Sequence, residues 1–208
     1  MKIKWLGHAC FLITAEDGTR IITDPYESGG NIKYDKIAEA ADIVVISHQH
    51  YDHNDARAVK GKPVIVTESQ KAKGIEFKGV ESFHDTSGGR QRGPNTIFCF
   101  TVDKIKVCHL GDLGHDLSAE QVSDIGEVDI LLIPTEAGPP STQRELPRSA
   151  TGSSLGWSSP CIIRPVNAHS RRQRWTISSR TSLRSIESMP SRSNSKKASS
   201  PRLPRFWC

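Results

Sequence analysis

The run Ser47-His48-Gln49-His50-Tyr51-Asp52-His53 packs four metal-capable side chains into six consecutive residues. His48 and His50 are two apart, so on an extended segment their imidazoles project the same way and can grip one ion. Asp52 and His53 follow at once and can turn toward a second ion beside the first. Imidazole and carboxylate together suit zinc, and the hard carboxylates leave manganese or iron as alternatives. A His-x-His pair alone is common on protein surfaces, whereas the whole His-x-His-x-Asp-His string reads as a loop built to hold metal.

Such a loop needs a rigid support, and the β-branched run Ile43–Ile46 directly before it reads as a buried strand. Strand patterns recur at Lys2–Leu6, Cys10–Thr14, Arg20–Thr23, Val64–Thr67, Thr96–Val102, Ile105–His109 and Ile130–Ile133. Asp17-Gly18 and Asp103-Lys104 read as hairpin turns. Helical signals are fewer: Asp55–Val59 could open one, and Ser118-Ala119-Glu120-Gln121 offers an N-cap with an acid in the first turn. Hairpins followed by alternating strand and helix predict an α/β layered sandwich.

At 208 residues, 36% apolar and 25% charged, the chain can bury one substantial core. No membrane span is visible, and the N-terminus alternates as a strand rather than a signal peptide. Cys10, Cys99, Cys108, Cys161 and Cys208 are odd in number and widely spaced, which argues against a disulfide framework and a thiolate zinc site and for a cytoplasmic setting. Cys10, Cys99 and Cys108 fall in strand patterns and read as core. The net charge of +5 hides a division: residues 1–134 carry 15 Lys and Arg against 20 Asp and Glu, and residues 135–208 carry 13 against 3. Serine supplies 17 of the last 74 residues, and apolar periodicity is nearly absent there, so a disordered basic tail is expected.

The metal string, with Gly7-His8-Ala9-Cys10-Phe11, Thr23-Asp24-Pro25 and His109-Leu110-Gly111-Asp112, resembles the metallo-β-lactamase superfamily, in particular small hydrolases related to ascorbate-6-phosphate lactonase. The resemblance covers residues 1–134. It implies a four-layer αββα sandwich, incomplete at the C-terminus, with two divalent metal ions at the open edge of the sheets. Carried over, His48, His50 and His84 would hold the first ion, and Asp52, His53 and a bridging Asp112 the second. His109, three residues before Asp112, is the rival to His84. The ions would draw hydroxide from water at neutral pH, and Asp52 could accept a proton, so the implied reaction is hydrolysis of an ester, lactone, amide or phosphoester.

His8 and Asp24 resemble family positions that line or brace the site, with Asp24 as an acceptor for an imidazole N–H. Arg90 and Arg92 could meet an anionic small-molecule substrate. His115 could approach the metals through the turn after Asp112. The resemblance also implies one more histidine far downstream; His169 is the only candidate, and no strand pattern precedes it. Codons for Trp157–Pro165, read two nucleotides on, allow a Met-His-Tyr sequence after an apolar run. The same shift gives family-like readings near Ala137 and Lys196. Residues from about Thr135 onward are therefore expected to be an out-of-frame translation, leaving the second ion short of a ligand and the hydrolytic activity of this chain impaired. The competing expectation is a non-catalytic module with a basic arm binding nucleic acid, favoured by Arg171–Arg174 and Lys196-Lys197 but lacking aromatic interleaving. The oligomeric state is not legible.

Overall fold

A computed structural model of the chain describes residues 1–133 and the backbone of residues 161–163 and 174–176. The strands are β1 (Lys2–Gly7), β2 (Cys10–Thr14), β3 (Arg20–Thr23), β4 (Ile43–Val45), β5 (Val64–Val66), β6 (Gln70–Ala72), β7 (Ile75–Phe83), β8 (Pro94–Val102), β9 (Ile105–His109), β10 (Ile130–Leu132), β11 (Cys161–Ile163) and β12 (Arg174–Thr176). They form two six-stranded sheets, in the orders β12-β1-β2-β3-β4-β5 and β11-β10-β9-β8-β7-β6.

Period-two alternation sorts the side chains into layers. In β4, Ile43 and Val45 join Ile3, Phe11 and Ile13 in the core between the sheets, opposite Phe77, Phe98, Val107 and Ile130 of the second sheet. Val44 and Ile46 point the other way, into a cluster closed by Tyr26, Ile37 and Ala41 from the β3–β4 connection. On the far side of the second sheet, Ile97, Cys108 and Leu131 pack against Ile125 of the helix α1 (Ala119–Ile125). Every layer of the expected α/β sandwich except one is thus occupied as the sequence suggested. The exception is the region after the histidine loop, where the helix expected from Asp55–Val59 is a single 3-10 turn, Ala56–Ala58. Asp55 makes no side-chain cap there, and Gly61 and Pro63 end any helix before β5.

The N-cap of α1 is as read: Ser118 and Gln121 form a reciprocal capping box. Asp103 and Lys104 both take positive φ (52° and 67°), as a type I′ hairpin turn requires. The β6–β7 hairpin, turned through Lys73 and Gly74 (φ 49° and 83°), was not legible as such, because its charged outer positions and Gly79 blur the alternation. β11 and β12 lie in the stretch expected to be a disordered tail, yet their backbones pair with β10 and β1. His169 and the remaining positions of the out-of-frame reading lie outside the described residues.

Pairing directions place the chemistry. β1 and β3 both run antiparallel to β2, and β4 runs parallel to β3. β7 and β9 both run antiparallel to β8. His8, Asp24, the His48–His53 loop, His84 and the His109–Asp112 segment therefore all leave the C-terminal ends of like-directed strands, and they meet at one rim of the sandwich.

Candidate metal centre

Asp24 anchors this rim. Its fully buried carboxylate accepts the Ser47 backbone N–H at 2.7 Å, the Ser47 hydroxyl at 2.7 Å, His53 Nδ1–H at 3.0 Å and His109 Nε2–H at 2.8 Å. Burial alone would raise its pKa, but the two imidazoles overcome that and hold it well below the ordinary carboxylate range.

These bonds fix which ring nitrogens are bare. Ser47 has one hydroxyl proton and gives it to Asp24, so at 2.9 Å from His48 Nδ1 it must accept. His48 therefore carries its proton on Nδ1 and turns a bare Nε2 outward. Burial, and then the neighbouring His53, pull the His48 pKa down to about 4, so the ring is neutral at pH 7. Its Nε2 stands 3.1 Å from His50 Nδ1. Two ligands on one tetrahedral zinc at roughly 2.0–2.1 Å would lie about 3.3 Å apart. The ring of His84 lies 5.2 Å from both, and one nitrogen from each of the three rings falls within a 4.8 Å cluster.

Beside this trio, His53 directs its Nε2 toward His8 Nε2 at 3.0 Å, Asp112 Oδ2 at 3.3 Å and Asp52 Oδ2 at 4.0 Å. Asp52 is also 3.2 Å from His8 Nε2, and Asp112 is 2.8 Å from His84 Nε2, so Asp112 touches both groups. Burial opposes charge on His53, yet the hydrogen bonds to Asp112 and Asp24 push its pKa up to about 10.

Asp112 owes its placement to residues that carry no metal-binding signature. Asn95, 1% exposed, accepts the Asp112 N–H on Oδ1 and donates Nδ2 to Ser82 Oγ and the Leu110 carbonyl. Gly111 takes φ +55°, and a Cβ there would lie 2.3 Å from Asn95 Oδ1 and 2.5 Å from Ser47 Cβ. Glycine alone lets the chain pass.

The other expected residues fall differently. His109 turns to Asp24 rather than to the trio, because its buried Nε2 is taken by that carboxylate. His115 accepts the Phe83 N–H and reaches the Asp116 carbonyl, so it braces the chain behind His84 instead of joining the cluster. Arg90 and Arg92 are exposed on the loop after His84. That loop is organised by Asp85, whose buried carboxylate accepts four backbone N–H groups, from Ser87, Gly89, Gln91 and Arg92, at 2.7–3.1 Å. These bonds, that of Arg92 foremost, lower the Asp85 pKa to about 2. The roles of Ser47, Asn95 and Asp85 leave no mark in the sequence, because each is a single polar residue without a motif of its own.

The family model of the beta-lactamase superfamily domain matches residues 2–150. The chain belongs to the beta-lactamase superfamily. Among superfamily members, a UPF0173 protein of Pyrococcus abyssi is 29% identical over 171 residues, covering 70% of this chain and 75% of its own length. A UPF0173 metal-dependent hydrolase of Thermoplasma volcanium is 30% identical over 160 residues, covering 64% and 70%. A solved superfamily structure, a proposed Zn-dependent hydrolase from Thermotoga maritima, is 42% identical with a TM-score of 0.50. It covers 62% of this chain, which spans 59% of that one. The superfamily match runs past residue 134, and no helix among the described residues is long and apolar enough to cross a membrane.

Proposed function

We propose that the chain is a metal-dependent hydrolase that uses two divalent ions, zinc first with manganese or iron as alternatives, on an ester, lactone or phosphoester. His48, His50 and His84 would hold the first ion, and Asp52, His53 and Asp112 the second. The observation that carries this reading is the bare Nε2 of His48 facing His50 Nδ1 at 3.1 Å, close to a tetrahedral edge, with a His53–Asp112 pair alongside. A pair of such ions makes a nucleophile from water at neutral pH and polarises the bond under attack.

The chain's own residues divide the remaining tasks. Asp24 fixes the His53 ring by accepting from Nδ1, and Ser47 fixes His48 in the same way. Asp52, half-buried and within reach of His8, would accept the proton released during turnover and return it to the leaving group. Arg90 and Arg92 would meet an anionic substrate from the loop that Asp85 holds.

We take residues 1–134 as the hydrolase unit and residues 135–208 as a basic extension, whose reading frame the nucleotide sequence around codon 135 decides. The function is tested with bis(p-nitrophenyl) phosphate, p-nitrophenyl acetate and a simple lactone. Turnover of at least one, abolished by chelation and by Asp52→Ala, is expected. A metal-loaded, folded protein inert toward all three, or activity indifferent to both treatments, would overturn the reading.

A further inference from the structure

The resemblance implies a second ion one ligand short, and the His8 imidazole lies beside the side chains expected to hold that ion. His8 Nε2 lies 3.0 Å from His53 Nε2 and 3.2 Å from Asp52 Oδ2, while His53 Nε2 lies 3.3 Å from Asp112 Oδ2. The ligand atoms of His8, Asp52 and His53 all lie within 4.8 Å of one another, and Asp112 adjoins this trio through His53. Four donors around a single zinc at about 2.0–2.1 Å would stand about 3.3 Å apart.

The backbone under His8 is shaped to deliver it. The β1–β2 register slips between Trp5 and Gly7, a bulge that re-aims the following side chain. Gly7 takes φ +138° with no room for a Cβ beside Tyr34 and Tyr26, and His8 itself is held at φ +48°. A histidine in the left-handed region is strained and persists only where its surroundings impose it. They do so here: the His8 carbonyl accepts Trp5 Nε1–H at 2.8 Å, and Tyr26 Oη donates to the Leu6 carbonyl at 3.0 Å. His8 opens the two-residue β1–β2 turn, so the hairpin backbone itself fixes where its ring enters the rim.

We infer that His8 is a direct ligand of the second ion, completing a four-donor set with Asp52, His53 and Asp112. The inference rests on the two-ion reading above. It removes the need for a downstream histidine as a ligand of the second ion.

The test is titration of the full chain with Zn²⁺ and Co²⁺ by calorimetry and metal analysis. It compares wild type with His8→Asn, which tolerates a positive φ, and His8→Gly, which removes the backbone strain. Wild type is expected to bind two ions, and both variants to keep the first and bind the second at least tenfold more weakly. In the Co²⁺ protein labelled with ¹⁵N-histidine, His8 Nε2 should be paramagnetically shifted as strongly as His53 Nε2, which a merely structural His8 would not show. Two ions bound equally by wild type and both variants would overturn the inference and leave the two-ion reading standing. One ion, bound equally by all three, would overturn it while keeping the His48, His50 and His84 set. No ion in wild type would overturn both.

Discussion

The side-chain carbonyl of Asn95 and the backbone N–H of Asp112 are joined at 2.9 Å, so a residue at the start of a strand sets the position of a carboxylate on a turn 17 residues later. Asn95→Ala removes that acceptor and leaves the Asp112 N–H and the buried Leu110 carbonyl without these partners, while the Ser82 hydroxyl keeps its bond to the residue-95 carbonyl. A loss of about 2–3 kcal/mol in urea unfolding is expected, at the upper end of the cost of an unmet buried group. Affinity for the second ion should fall with it, since Asp112 loses its support. Unfolding within 0.5 kcal/mol of wild type would refute the assignment.

Asp24→Asn keeps the shape of the side chain and removes the charge that His53 and His109 face. Breaking a buried, hydrogen-bonded charge set costs roughly 3–5 kcal/mol. Calorimetric zinc titration of the variant, if it folds, should show about 10–100-fold weaker binding, the usual consequence of losing the partner that orients a ligating histidine. Equal affinity would show that His53 needs no such support.

His50→Ala separates binding from stability. His50 is exposed, so the ion-free variant should unfold within about 0.5 kcal/mol of wild type. Its Tm should nevertheless no longer rise on adding zinc as far as wild type's does, because the first ion has lost a ligand. Unchanged zinc stabilisation would remove His50 from the site.

Asp85 gives the loop after His84 a defined pH dependence. Its pKa is lowered to about 2 from an unfolded value near 3.9, so its stabilising contribution is complete above that unfolded value and disappears as pH falls toward 2. Amide exchange at Ser87, Gly89, Gln91 and Arg92 should stay slow down to about pH 4 and accelerate below it beyond the intrinsic rate. In Asp85→Asn at pH 7, trypsin should cut after Arg90 or Arg92 faster than in wild type. Equal cleavage in the two proteins would show that the loop is held by other contacts.

Much of this arrangement can be read in the residues themselves. Ile43–Ile46 announces its strand through β-branching, and the two-residue turn at Asp103-Lys104 follows from its position between two apolar runs. The metal string is legible because ligating chemistry restricts residue type at fixed spacing. The β6–β7 hairpin is hidden because it is a sheet margin, where lysine and glutamate sit on the wet face. Asn95 and Asp85 are hidden for another reason: a hydrogen-bond hub is a property of segments brought together by the fold, and a lone polar residue leaves no period to detect.

The bonds around Asp24 have a mechanical side as well. Asp24 and Ser47 belong to the first sheet, and His109 and Thr96 to the second. The Asp24–His109 contact at 2.8 Å and the Thr96–Ser47 backbone bond at 2.9 Å therefore rivet the two sheets together at the rim where the histidines gather. Opening the sandwich there means breaking a buried hydrogen-bonded charge, while at the opposite end the Met1 ammonium and the Glu16 N–H hold Asp103 at 3.0 and 2.9 Å. The sandwich is thus fastened by polar bonds at both ends, and the buried fastening is the one at the working edge.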